Sequence, residues 1–290
     1  MKFGIVLPNF GSDATHQTIL ATAQAAEALG FDSIWVTDHL ALPVEDSDRF
    51  GHIFEALSTL SWLAAKTERV NLGISTLVLP QRNPVEIAKS LATLDNLSRG
   101  RVILTAGIGW STGEYHNLGY EFSNRARRMD EALTFISLLW GSSAPASFSG
   151  KYYHFDGLVL SPPPVQAGGI PILVAGDSPA ALNRAVKYGD GWHPNSKPLA
   201  ELSSLLQSVK AQLVGRDFEI CMRMRVAFTA DPLPEAVLSG SPHHMRQMLA
   251  EYQSAGVTSV ILYFPSETQN ARERAMQTFQ QEVIADLNSC

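Results

Sequence analysis

Short apolar runs of strand length alternate along this chain with stretches in which apolar residues recur every three or four positions. That alternation is the signature of an α/β chain, because a two-residue period buries one strand face and a 3.6-residue period buries one helix face. The runs predict strands at 2–7, 33–36, 70–75, 101–106, 171–175, 190–193, 219–228 and 257–263. The helical periods predict helices over 15–30, 53–66, 84–98, 124–140, 179–188, 198–213, 242–255 and 270–287. Stripes such as Ile19, Ala23 and Ala26, or Ile87, Leu91 and Leu94, or Met129, Leu133, Ile136 and Trp140, read as core-facing helix surfaces. Eight strand–helix pairs in 290 residues predict a closed parallel (β/α)8 barrel, since each right-handed crossover lays its helix outside a sheet that closes at this strand number. An open doubly wound sheet is the alternative, and it gains if 190–193 or 219–228 is not a strand.

The rhythm breaks once. Between Trp140 and Pro171 lie Gly141–Pro145, a hairpin-like stretch from Phe148 to Leu160 that includes Tyr152, Tyr153 and Phe155, and then Pro162–Pro164. This is longer than an ordinary helix-to-strand connection. It reads as an insertion of about 141–169, between the fourth helix and the fifth strand, strapped across the barrel within a single domain of residues 1–290.

Where the strands end, the chain turns polar or glycine-rich: Thr37-Asp38-His39, Gly73-Ile74-Ser75, Gly107-Ile108-Gly109-Trp110, Ala175-Gly176-Asp177-Ser178 and Trp192-His193-Pro194. Strand ends of this kind converge on one site in α/β barrels. Gly107 and Gly109 let backbone approach a flat ligand closely. A dinucleotide fingerprint is a poor reading of Gly107-x-Gly109-x-x-x-Gly113, because the third glycine comes one place late. Ala175, Gly176, Asp177 and Ser178, followed by Pro179, form a loop and helix cap whose free N–H groups suit a phosphate. There Gly176 and Ser178 would make the contact and Asp177 would point away; a plain helix cap is the other reading. His39 beside Asp38 is the best candidate for proton transfer, with a packed histidine and a loop-bracing aspartate as the alternative. Trp110, Trp192 and His193 are candidate substrate-pocket walls, although either tryptophan could be core.

Composition narrows the class. With 45% hydrophobic and 17% charged residues the chain buries one large core, and a net charge of −6 argues against a nucleic-acid surface. Arg125, Arg127 and Arg128 read as the solvent face of a helix start. Cys221 and Cys290 have no paired spacing and suggest a reducing, cytoplasmic setting. Met1-Lys2 leads straight into a strand, so no signal peptide is expected, and no apolar stretch is long enough for a bilayer. His116, His193, His243 and His244 offer neither HExxH nor an i,i+4 pair, so no metal site is expected. No GxSxG elbow occurs. A small-molecule partner is expected, and a homodimer is left open.

Phe3-Gly4-Ile5-Val6-Leu7-Pro8-Asn9 and Ala25 through His39 resemble the start of the bacterial-luciferase-like family of flavin- and deazaflavin-dependent oxidoreductases. The resemblance continues through Arg82-Asn83-Pro84, Leu97 to Arg101, Gly107 to Trp110, Arg128 to Leu133 and Tyr188 to Trp192, and thins beyond about residue 195. It implies a TIM barrel with an insertion and a reduced FMN or deazaflavin coenzyme at the C-terminal mouth. It also implies a non-prolyl cis peptide at Ile74–Ser75 beneath the ring. Reduced FMN with oxygen would monooxygenate a small organic substrate; reduced deazaflavin would transfer a hydride to it. The style of Leu79 to Pro84 and Gly107 to Trp110 resembles the deazaflavin branch. Two alternatives stand: a flavin-binding barrel without catalysis, and an unrelated TIM-barrel enzyme that holds a phosphorylated small molecule on the Ala175–Ser178 loop.

Overall fold

A computed structural model describes residues 1–142, 144–233, 237–266 and 268–287, leaving Ser143 of the insertion and Cys290 outside the described residues. Eight parallel strands make the frame: β1 Lys2–Val6, β2 Ser33–Val36, β3 Asn71–Ile74, β4 Val102–Gly107, β5 Ile172–Ala175, β6 Gly191–His193, β7 Glu219–Phe228 and β8 Ser259–Tyr263. Each pairs with the next, and β8 returns to β1 with Lys2 opposite Ser259. The ring closes, and the open-sheet alternative falls. Its two weakest strands, β6 and β7, make the decisive seam through Gly191 and Glu219.

The main helices are α1 His16–Ala28, α2 Ala56–Ala64, α3 Pro84–Ser98, α4 Arg125–Gly141, α5 Pro179–Tyr188, α6 Leu199–Val209, α7 Pro242–Ser254 and α8 Gln269–Phe279. Three begin with a proline in the first turn behind a polar cap. Asn83 caps Val85 N–H, Ser178 caps Ala181 and Ser241 caps His244. Apolar helix faces cover the outside of the strands, and Val6, Phe10, Trp35, Leu173, Cys221 and Ile261 form a second cluster. Gly4 and Gly73 carry no Cβ where the Trp35 indole lies, so this large ring fits beneath the mouth.

The insertion contains an antiparallel hairpin, Ala146–Ser149 with His154–Leu158. It is fastened to the outside of the barrel and does not cross it. Phe135 of α4 packs against Phe148 and Phe155, and Asn96 and Asp95 of α3 hold Pro163 and Gln166. Among the described residues, none of the insertion lines the mouth. Apolar partners on α3 and α4 explain the placement: the hairpin's aromatic face has a core to join on the helices. Three elements had no strong sequence signal: the Leu77–Val78 and Val237–Gly240 strands and the Thr112–Asn117 helix.

Candidate active site

A cavity of about 860 Å³ opens at the C-terminal ends of the strands, where parallel barrels bind their ligands. Loops after every strand from β2 to β6 reach it, with β7, β8 and the Arg49–Phe50 stretch completing the wall. The sequence-predicted residues Asp38, His39, Ser75, Gly107, Ile108, Gly109, Trp110, Ala175, Gly176 and His193 all line it. Ile74, Asp177, Ser178 and Trp192 do not.

His39 and Asp38 share a peptide bond but not a role. The Asp38 carboxylate turns to Arg82, 2.5 Å from Nη2, and accepts the Val78 N–H at 2.9 Å. Burial raises its pKa, against the pull of Arg82 and the Val78 amide. Asp38 is therefore a brace for the β3–α3 connection and not the carboxylate that biases His39, which corrects the pairing expected from sequence. The His39 partner is Glu114: Nδ1 lies 3.0 Å from Oε2. Glu114 is completely buried on the short Thr112–Asn117 helix. Its Oε1 accepts the N–H groups of Leu40 and Ala41 at 2.6 and 3.2 Å, and its Oε2 also accepts from Gln81 at 3.3 Å. Burial would raise its pKa, but these donors prevail and hold the carboxyl below its usual value. An ionised Glu114 accepts the hydrogen of His39 Nδ1, so the neutral form of the ring carries its lone pair on Nε2. The ring is set between Phe50, at 4.9 Å between centroids, and the edge of Trp110, at 5.6 Å.

The sequence did hold a trace of Glu114. Ser111-x-x-Glu114 reads as a capping box, and Ser111 Oγ does accept the Glu114 N–H at 3.0 Å. The carboxylate, instead of closing the box, crosses to the β2 loop. Only tertiary structure reveals that.

The floor of the cavity is a second polar assembly. His193 Nδ1 donates to the Cys221 carbonyl at 2.6 Å, and Nε2 accepts from Ser75 Oγ at 2.9 Å. Burial lowers the His193 pKa to about 4, so this ring is neutral at ordinary pH. Arg223 donates to the Ser75 carbonyl at 3.0 Å. The non-prolyl cis bond lies at Ser75–Thr76, one residue beyond the expected Ile74–Ser75. The shift has a clear cause: Ser75 N–H still donates to Val36 O at 2.7 Å, so the Ile74–Ser75 peptide belongs to the sheet ladder and the bulge starts after it. Ile74 is wholly buried in the core.

The glycines serve the protein's own packing. A Cβ on Gly107 would meet Thr76 Oγ1, and Gly109, with φ of +69°, would press a Cβ against Val78. Tyr115 donates to the Ile108 carbonyl at 2.7 Å and fixes this loop. Gly176 has φ of +131° and abuts Ala181 of α5. Asp177 is not in the cavity lining; its carboxylate accepts the main-chain and side-chain N–H groups of Asn195, both at 2.9 Å. Ser178 is spent on the cap of α5 outside the cavity lining, so Ala175 and Gly176 are what the loop presents. Trp192 is not a pocket wall. Its indole is fully buried and donates to the Gly176 carbonyl at 2.8 Å, bracing the loop from below.

The cavity is roomy enough for a tricyclic ring with a substrate beside it. Two of its hydroxyl oxygens, Thr37 Oγ1 and Ser196 Oγ, are buried without a protein partner, and buried polar atoms are normally paired. A bound polar heterocycle would supply that pairing. Among the described residues no group of three or more His, Cys, Asp and Glu could hold a metal ion, and no helix is long and apolar enough to cross a membrane.

Comparison with known proteins places these features in context. A family model described as luciferase-like monooxygenase matches residues 1–233. An uncharacterised protein of Mycobacterium tuberculosis is 30% identical over 284 residues, covering 92% of this chain and 93% of that one. An F420-dependent glucose-6-phosphate dehydrogenase of Kineococcus radiotolerans is 39% identical over 221 residues, covering 72% of this chain and 64% of the relative. The crystal structure of the monooxygenase RslO1 from Streptomyces bottropensis superposes with a TM-score of 0.86 at 21% identity, covering 99% of both chains.

Proposed function

The chain belongs to the luciferase-like monooxygenase family, and we propose that it is an oxidoreductase that takes a deazaflavin coenzyme at the barrel mouth and exchanges a hydride with a small organic alcohol or its carbonyl partner. The observation that carries this reading is the His39–Glu114 pair, aimed at the mouth from the end of β2. Hydride removal from an alcohol carbon requires the hydroxyl proton to leave, and an imidazole oriented by a carboxylate at Nδ1 is the group for that task. The similarity to a relative described as F420-dependent supports the deazaflavin branch.

The ring, when bound, supplies the two-electron chemistry. The protein supplies the rest. Ala175 and Gly176 would face its phosphate end, while Thr76 and the Gly107–Ile108 backbone would shape the floor beneath the ring. Thr37 and Ser196 would hydrogen-bond to its polar edge or to the substrate. His39 Nε2 takes the substrate proton, and Glu114 holds the tautomer and offsets the charge that forms on the imidazole. Phe50 and Trp110 enclose His39 and limit water around it.

Titration of the purified protein with FMN and with the deazaflavin coenzyme, each oxidised and reduced, tests this reading. Deazaflavin is expected to bind at least about tenfold more tightly than FMN, a difference of about 1.4 kcal/mol. Preference for reduced FMN, with oxygen consumed on adding substrate, would move the chain to monooxygenation; no binding of either ring would remove the reading.

A further inference from the structure

We infer that the β7–β8 wall of the mouth is an anion subsite, built from Arg223, Arg225 and Arg49, and that the substrate of the proposed reaction carries a carboxylate or phosphate that docks there. This rests on the oxidoreductase reading only in calling the anion a substrate. Arg223 and Arg225 are two residues apart on β7, so both side chains project from the same face of the strand, and both line the cavity. Arg225 stands in register with Tyr263 of β8. Arg49, from the loop after β2, comes to the same place: its guanidinium carbon and that of Arg223 lie 5.7 and 5.9 Å from the Tyr263 ring centroid. Two guanidiniums thus lie against one aromatic ring, and a third basic side chain, Arg225, lines the same stretch of the cavity wall.

No carboxylate among the described residues balances them. The chain is acidic overall, with a net charge of −6, yet the cavity lining contains one carboxylate, Asp38, and that is spent on Arg82. Among the described residues no carboxylate forms an ion pair with Arg49, Arg223 or Arg225. Arg223 is partly buried, and among the described residues its guanidinium hydrogen-bonds to Ser75 alone, at the carbonyl and the hydroxyl. Burial first, and then the neighbouring charge of Arg49, lower its pKa to about 10, so it stays cationic at neutral pH. Clustered cations facing a cavity repel one another unless an anion arrives, and planar guanidiniums match carboxylate and phosphate oxygens two at a time. The cluster sits two strands around the barrel from the β5 loop that would face the coenzyme phosphate. A second anion is therefore provided for, beside the ring and not at its tail.

Calorimetric titration of inorganic phosphate into the protein, first alone and then saturated with deazaflavin coenzyme, tests the assignment. Saturation covers the β5 loop and isolates the arginine wall. Binding of one phosphate per chain is expected to persist in the saturated protein, and to weaken about tenfold or more in Arg225→Ala and in Arg49→Ala, both exposed positions whose loss leaves the core intact. Lys187→Ala, far from the mouth on α5, should bind as the wild type does. Loss of phosphate binding on coenzyme saturation would assign the arginines to the coenzyme and overturn the proposal. Unchanged affinity in both arginine variants, or no phosphate binding at all, would overturn it as well. Failure of both the deazaflavin coenzyme and FMN to bind, with arginine-dependent phosphate binding intact, would remove the oxidoreductase reading and leave the anion subsite standing.

Discussion

Replacing Glu114 by glutamine should convert His39 from a base into a spectator. The geometry dictates how the amide sits: Oε1 receives two main-chain N–H groups, from Leu40 and Ala41, so the glutamine oxygen must stay there. The amide nitrogen then falls at the Oε2 position, 3.0 Å from His39 Nδ1. Two donors cannot face each other, so Nδ1 must give up its hydrogen and Nε2 must take it. The lone pair that faced the mouth is lost. General-base assistance is worth about 10²–10⁴ in rate, and the chemical step should fall by that factor while coenzyme affinity changes little. Stability falls too. Hydrogen bonds to a charged group contribute about 1.5–3 kcal/mol against about 1 for neutral ones, so weakening three of them costs about 1.5–6 kcal/mol in total. Because the folded Glu114 carboxyl titrates below its usual value of 4.5, the wild-type advantage is full above that pH and is lost as pH falls through the folded value. Nitrogen-15 NMR of the His39 ring reads the tautomer directly: hydrogen on Nδ1 in the wild type and on Nε2 in Glu114→Gln. A wild-type ring already protonated on Nε2, or a variant with a normal chemical step per folded molecule, would refute the reasoning.

Other outcomes follow from the same geometry. His39→Ala should slow the chemical step about 10²–10⁴-fold with ring affinity within a few-fold of wild type, whereas a normal rate with a lowered thermal midpoint would make His39 a packing residue. Arg82→Ala leaves Asp38 as an unpaired buried charge and should cost about 3–5 kcal/mol in urea unfolding, most of it recovered in Asp38→Leu/Arg82→Ala; equal loss in single and double variants would contradict this. His193 titrates near 4 when folded, against 6.5 ordinarily, so the unfolded chain binds the extra proton between those values. Stability should therefore decline by about 1.4 kcal/mol per unit as pH drops from 6.5 toward 4, and His193→Asn should remove that contribution; an identical slope in the variant would count against it.

What was legible beforehand follows physical range. Periodicity and caps are local, so α3 over Pro84–Ser98, α5 over Pro179–Tyr188 and β7 over Glu219–Phe228 could be drawn to the residue. Counting eight strand–helix units favours a closed ring over an open sheet, and the choice rests on whether 190–193 and 219–228 are strands. The convergence of strand ends on a mouth was legible for the same reason. The partners were not. His39 sits beside Asp38 in sequence, but adjacent strand-end residues point different ways, and Glu114, 75 positions on, takes the histidine instead. Trp192 and Trp110 look alike at strand exits; one indole is fully buried under Gly176 and the other is 52% exposed at the rim. Arg223 and Arg225 alternate with Met222 and Met224 in an ordinary amphipathic strand. Their meaning depends on Arg49 and on the lack, among the described residues, of a carboxylate paired with any of the three, which no local pattern records.

The proposed function places a deazaflavin ring in this mouth with its reacting side toward His39. A crystal structure of the protein saturated with oxidised deazaflavin coenzyme tests it most directly. The ring should lie in the cavity over Ser75–Thr76 and Gly107, its phosphate against Ala175–Gly176, with open space for substrate between the ring, His39 Nε2 and the arginine wall. A ring bound outside the cavity, or one reversed so that its phosphate rests on Arg223 and Arg225, would contradict it.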